Sequence, residues 1–228
     1  MKKLLFTVPL LLLVVVASAQ NLSQVTISNA GSDIMYTFVI DGNVQINVSK
    51  DGKIIEWGTA LEYWRAGYYP GKLQPYIGRV EYYGPADNEA LRGKPKYIGS
   101  AAITYFSAYE NENFTGKVKT IGTTVMDYYS SFENETYKGN LKNAGTISLN
   151  YYASYDNEGY KGKLKSVGNT ALSYYSSFDD KAYKGKLKSI GSYNYTYYSS
   201  YEKREYSGII KTGSQVQLVN GINYILRF

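Results

Sequence analysis

"Tyr160-Lys-Gly-Lys-Leu-Lys-Ser-Val-Gly168" recurs 23 residues later as "Tyr183-Lys-Gly-Lys-Leu-Lys-Ser-Ile-Gly191", one methylene apart. Aligned on the glycine of its Gly-Lys step, the phrase marks Gly93, Gly116, Gly139, Gly162, Gly185 and Gly208, each 23 residues from the last, with Gly71 and Gly52 as shorter, worn copies upstream. A fixed period on this scale is the signature of a repeat architecture, in which each unit buries its apolar face only by stacking on the next.

The columns inside one unit are legible. A second glycine stands six residues after the first (Gly99, Gly122, Gly145, Gly168, Gly191), and an aromatic pair follows: Tyr105-Phe106, Tyr128-Tyr129, Tyr151-Tyr152, Tyr174-Tyr175, Tyr197-Tyr198. Three residues beyond each pair comes another ring (Tyr109, Phe132, Tyr155, Phe178, Tyr201), then an acid-rich patch, then a closing ring (Phe114, Tyr137, Tyr160, Tyr183, Tyr206). In "TISLNYY" the alternation is clear: Ile147, Leu149 and Tyr151 oppose Ser148, Asn150 and Tyr152. In "YKGKLKS" the same period of two puts Lys184, Lys186 and Lys188 on one face, opposite Tyr183, Gly185, Leu187 and Ser189. Each unit is therefore predicted to be a β-hairpin with a tight turn at Gly168-Asn169 or its equivalents and a looser return through the acidic patch.

The fold class predicted is all-β: a continuous antiparallel meander of about seven tandem hairpins, capped at both ends. Residues 1–19 read as a signal peptide, with Lys2 and Lys3 before an apolar run that ends in Ala17-Ser18-Ala19. Residues 20–57 read as an N-terminal β cap, with Asp41-Gly42 and Asp51-Gly52 as turns; 58–213 as the hairpin array; and 214–228 as a C-terminal hairpin cap around Asn220-Gly221. The caps are expected to close the exposed sheet edges, and Pro95 is expected to mark a bulge or a local interruption.

Cutting after Ala19 would leave 209 of the 228 residues, with no segment long and apolar enough for a spanning helix. The leader, of a bacterial type, implies export to a periplasmic, secreted or cell-surface location. With no cysteine, stability rests on sheet and core. Without Lys2 and Lys3 the 25 basic residues become 23 against 19 acidic ones, a balance too even to point to nucleic acid.

The pattern resembles the MORN repeat family: a 23-residue hairpin opening on Tyr-x-Gly (Tyr137/Gly139, Tyr160/Gly162, Tyr183/Gly185), with Tyr128, Tyr151 and Tyr174 as mid-repeat aromatics, over roughly Gly71 to Thr212. That family's closely spaced later glycines are replaced here by strands of the "NTALSYY" type. The resemblance implies an elongated scaffold or binding surface, with no catalytic residues to transfer.

The absence of histidine and cysteine removes the usual nucleophile–base pairs and thiolate or zinc chemistry. The remaining titratable groups are spread periodically, whereas an active site needs one unrepeated constellation. A non-enzymatic protein without a cofactor is expected. Glu133-Asn134-Glu135 and Asp156-Asn157-Glu158 offer oxygen ligands for calcium, but Lys203 and Arg204 occupy the same column in the last copy, and solvated turns explain the composition better. The candidate binding surface comprises Tyr128, Tyr129, Tyr151, Tyr152, Tyr174, Tyr175, Tyr197 and Tyr198 with Lys163, Lys165, Lys186 and Lys188. Its partner would be a cell-surface glycan, an anionic polymer or another envelope protein. The competing account makes the same rings cross-strand ladder partners that hold the sheet together. Two alternatives to a scaffold or binding module stand beside it: a polysaccharide-binding protein, and an outer-membrane β-barrel, suggested by the alternating Ile222, Tyr224, Leu226 and Phe228.

Overall fold

The computed structural model describes residues 22–28 and 30–227; the leader expected at residues 1–19 and the terminal Phe228 lie outside them. Twenty strands follow one another: β1 (Leu22–Ser28), β2 (Ile34–Ile40), β3 (Val44–Ser49), β4 (Ile54–Ala60), β5 (Leu73–Pro75) and β6 (Val80–Tyr82). The repeats then supply β7 (Pro95–Ile98), β8 (Ala101–Tyr105), β9 (Val118–Ile121), β10 (Thr124–Tyr128), β11 (Leu141–Ala144), β12 (Ile147–Tyr151), β13 (Leu164–Val167), β14 (Thr170–Tyr174) and β15 (Leu187–Ile190). The last are β16 (Tyr193–Asn194), β17 (Thr196–Tyr197), β18 (Ile210–Thr212), β19 (Val216–Val219) and β20 (Ile222–Arg227).

Strands β6 to β16 form one eleven-stranded antiparallel sheet in chain order, and β17–β18 continue the pattern as a further pair. Each hairpin turns on a two-residue loop whose first residue is a glycine at positive φ, such as Gly168 at 51° between the paired Val167 and Thr170. Only the first turn residue is left-handed, the pattern of a type II′ turn, and glycine adopts it without steric cost.

In every repeat a β-bulge follows. Tyr174 pairs with Leu187 and Ser173 with Ser189, which leaves Lys188 as the extra residue, and the same shift recurs at the equivalent position of all six strand pairs from β6–β7 to β17–β18. Pro95 sits at this shift in the first copy. The bulge corrects the predicted lysine face. Strand β15 begins only at Leu187, Lys184 lies in the preceding turn, and Leu187 and Ile190 both point inward with Lys188 exposed between them. The period of two across "YKGKLKS" thus spans a turn and a bulge.

The two terminal segments are one structure. β20 pairs in parallel with β1, and the seven strands run β19-β20-β1-β2-β3-β4-β5. Because Leu73–Pro75 pairs with β4, the copies expected at Gly52 and Gly71 belong to this sheet, and the repeat sheet begins at Val80. Rather than sitting at the two edges of the meander, the terminal sheet covers a face of it. Tyr36 Oη meets Tyr151 Oη at 2.7 Å, Leu141 N donates to Lys50 O at 2.7 Å and Val118 N to Gly52 O at 2.9 Å. Between the layers, Val25, Tyr36, Phe38, Ile46, Val48 and Tyr224 share one buried cluster with Leu141, Leu149, Leu164, Val167, Leu172 and Leu187, a two-layer β architecture around a single core. Two turn glycines permit the close approach: a Cβ on Gly52 would collide with the Tyr128 ring, and one on Gly31 would lie 2.6 Å from Tyr174 Cε1.

No barrel closes among the described strands. The eleven-stranded sheet ends on the three-residue β6 at one side and the two-residue β16 at the other, so the outer-membrane barrel alternative lacks the closed sheet it requires.

Candidate binding surface

The structure distributes the predicted surface tyrosines into the interior. Tyr128, Tyr151, Tyr174 and Tyr197 are 3–5% exposed and Tyr129 is 9% exposed, while Tyr152, Tyr175 and Tyr198 are half-buried. Most of their hydroxyls are tied to the backbone. Except at Tyr174, whose hydroxyl is buried without a partner among the described residues, the first ring donates ten residues back, Tyr128 to Val118 O at 2.7 Å and Tyr151 to Leu141 O and Tyr197 to Leu187 O at 3.0 Å. The second ring donates twenty residues forward, Tyr129 to Leu149 O, Tyr152 to Leu172 O and Tyr175 to Tyr195 O, all at 3.0 Å. Burial holds the phenols of Tyr128, Tyr151, Tyr174 and Tyr197 protonated well above the usual tyrosine range. These rings are the packing ladder.

The lysines divide into two columns. Lys163 and Lys186 lie over the Tyr174 and Tyr197 rings at 5.3 and 5.2 Å, and their Nζ atoms donate to Gly185 O and Gly208 O of the next repeat. Partial burial pushes the Lys163 ammonium down to about 8. Lys165 and Lys188, the bulge residues, lie over Tyr152 and Tyr175 at 5.3 and 5.5 Å with their ammonium groups toward water. In this column the stems cover ring faces while the heads stay wet. Both columns serve the stacking of repeats.

What the structure leaves presented is the ring three residues past each pair. Tyr109, Phe132, Tyr155, Phe178 and Tyr201 are 87–99% exposed. Each occupies the third position of a four-residue turn closed by a backbone bond, Glu110 N to Ser107 O at 3.2 Å in the first and Asp156 N to Ala153 O at 3.1 Å in the third. The acid after the ring closes the turn a second time: Asp156 accepts from Ala153 N at 2.7 Å, Asp179 from Ser176 N at 2.6 Å and Glu202 from Ser199 N at 2.7 Å. A side chain at the apex of a turn fastened this way has no neighbour to pack on. In a meander all these return loops fall along one end of the sheet.

A second set of bonds ties loop to loop. Asn134 Oδ1 accepts from Ser154 N at 3.0 Å, Asn157 Oδ1 from Ser177 N at 2.8 Å, and Asp180 from Ser200 N at 3.1 Å. Each donor is the residue just before an exposed ring, so the positions of Tyr155, Phe178 and Tyr201 are fixed by the preceding repeat. Backbone donors first, from Ala182 and then Ser200, hold the Asp180 carboxyl below its ordinary range.

No protein family, curated protein or solved structure matches the chain. Of the loop oxygens offered for calcium, those of Asp156 close a turn and those of Asn134 and Asn157 bridge repeats, and among the described residues no group of three or more acidic side chains could hold a metal ion. The ring column is visible in the sequence, but its exposure is not, because the neighbouring pairs are equally aromatic. The signal that separates it is its place inside Ser-Ser-Phe-Asp and its equivalents, a turn-closing string.

Proposed function

We propose that this chain is an exported, non-enzymatic repeat module that binds an extended partner along its loop edge. The observation that carries it is the row of five turn-apex rings, each at least 87% exposed. Large apolar side chains repeated in one column outside the core mark an interaction surface. Two features support a binding rather than a catalytic role: the carboxylates that follow the rings, such as Asp156 and Asp179, are engaged in closing turns, and the half-buried lysines donate to carbonyls of the next repeat. The leader-like N-terminus supports export, and the MORN-like spacing enters as a likeness of architecture only.

Fractionation of producing cells, with carbonate extraction of membranes and gel mobility compared before and after boiling, tests the proposal. The expected result is an extracytoplasmic protein that leaves the membrane in carbonate and runs alike boiled or unboiled. Retention in the cytoplasm, or a carbonate-resistant band that shifts on boiling, would overturn it.

A further inference from the structure

We infer that the row Tyr109, Phe132, Tyr155, Phe178, Tyr201 is a stacking platform for a neutral, extended, β-linked polysaccharide. The inference rests on the binding-module proposal and names its ligand class.

The rings contribute nothing visible to the fold. None of the five takes part in a ring–ring contact, a cation–π contact or a side-chain hydrogen bond among the described residues, whereas the buried and half-buried columns do so in nearly every copy. Yet five of the six return loops carry an aromatic residue there, and the first, between β6 and β7, has Ala86 in the same turn position. Stacking of the repeats does not require them.

Their spacing suits a linear polymer. Successive rings are two strands apart, which at the usual inter-strand distance is about 10 Å. One disaccharide unit of an extended β-linked polysaccharide has a similar length. Consecutive rings can thus meet equivalent sugar faces, whose C–H groups suit the negative face of an aromatic ring. The loop-to-loop bonds at Ser154, Ser177 and Ser200 hold part of the row in place before ligand arrives, which lowers the ordering cost of binding.

Charge selects against the other polymers. Three residues beyond the first three rings stand the exposed carboxylates Glu112, Glu135 and Glu158; beyond the last two stand Lys181 and Arg204. An anionic polymer or an anionic lipid surface laid along the row would meet repulsion at Glu112 and Glu135, while Glu158 is paired with Lys161 at 2.8 Å. Sugar hydroxyls, which both donate and accept, can use either kind of neighbour.

The test is retention of the full chain by amorphous cellulose and by chitin, beside an anionic polysaccharide and vesicles of anionic lipid. Wild type should be retained by at least one of the two neutral polymers. A soluble hexasaccharide of the retaining polymer should compete better than its disaccharide, because it spans more rings. The fivefold variant Y109A/F132A/Y155A/F178A/Y201A should lose retention with its melting temperature unchanged, and the single variants F132A and F178A should weaken it even if the fivefold chain misfolds. Retention by neither neutral polymer, or equal retention of wild type and the single and fivefold variants, overturns the inference. Ring-dependent retention on anionic vesicles or anionic polymer alone would overturn it while leaving the binding module standing. If no probe separates wild type from the ring variants, both fall.

Discussion

Tyr151→Phe probes how the two sheets are joined. Tyr151 Oη gives its single proton to Leu141 O at 3.0 Å, so the 2.7 Å bond with Tyr36 Oη has Tyr36 as donor. The chain Tyr36 to Tyr151 to Leu141 crosses from β2 in the terminal sheet to β12 and β11 in the repeat sheet. Removing the Tyr151 hydroxyl strands the Tyr36 hydroxyl, on a residue with 0% exposure, and takes one donor from Leu141 O. An unmade buried hydrogen bond costs about 1–3 kcal/mol, so the pair of losses should cost about 2–4 kcal/mol. Tyr36→Phe removes only a donor to an oxygen that keeps its own proton bonded, and should cost about 0.5–1.5 kcal/mol. Because both substitutions break the same link, the double variant should be less unstable than their sum, with a coupling of about 0.5–3 kcal/mol. Tyr174→Phe is the control: Tyr174 Oη is buried without a partner among the described residues, and its loss should be neutral or stabilising. Urea unfolding with an unchanged m-value reads all four variants. Additive Tyr36 and Tyr151 effects, or a Tyr174→Phe cost equal to that of Tyr151→Phe, would refute the inter-sheet link.

Gly52→Ala combines a positive φ of 83° with a collision on the Tyr128 ring and should cost about 2–5 kcal/mol, whereas Gly42→Ala, at φ 81° with open space around it, should cost about 1–2 kcal/mol; equal costs would refute the docking of the β3–β4 turn on the repeats. The carboxyls of Asp180, bonded by Ala182 N, of Glu202, bonded by Ser199 N, and of Glu110, paired with Lys119, are lowered on folding. Their contribution is full above the ordinary carboxylate range and is lost as pH falls through the folded values. The protection factors of amides in the return loops should therefore fall at acid pH before those of the strands do. At the other extreme, buried phenols such as Tyr195, raised to about 12, stabilise the fold below their ordinary value of 10.0 and lose that effect as pH rises through the folded one. Phenolate absorbance and loss of β-sheet signal should then rise together. Lys163, lowered to about 8 from 10.5, acts in the opposite sense, so stability should climb with pH between those values before the phenols ionise; Lys163→Met should flatten that climb.

The hairpin array was legible because its signals are local: glycine turns such as Gly168-Asn169 and the alternation of Ile147, Leu149 and Tyr151 each act within a few residues. The Asn220-Gly221 hairpin was legible for the same reason, with both residues at positive φ. The union of β1 with β20 had no such signal, since the pairing of Val25 with Tyr224 joins residues from opposite ends of the chain and depends on what each sheet face covers. The bulge at Lys188 escaped because lysines at every second position imitate a strand, while the interior is decided by Leu187 and Ile190, three residues apart. Burial of the first tyrosine of each pair also followed from the second sheet. Without a layer to cover them, the same rings would have been half wet.

Comparison among the copies separates the two uses of aromatic residues. In the column buried against the second sheet the residue is tyrosine every time, at 105, 128, 151, 174 and 197, and four of the five hydroxyls donate to a backbone carbonyl. There the phenol oxygen is part of the structure. At the turn apices the residues alternate as Tyr109, Phe132, Tyr155, Phe178 and Tyr201, so the hydroxyl is dispensable and the ring is the common element. A site that read its ligand through a tyrosine hydroxyl would lose a bond at every second copy, whereas one that stacks on ring faces loses nothing. The spacing of those faces is imposed by the strands beneath them and held by the loop-to-loop bonds at Ser154, Ser177 and Ser200. Lengthening or shortening the array by whole 23-residue units should therefore change how much polymer is held, without changing how each ring holds it.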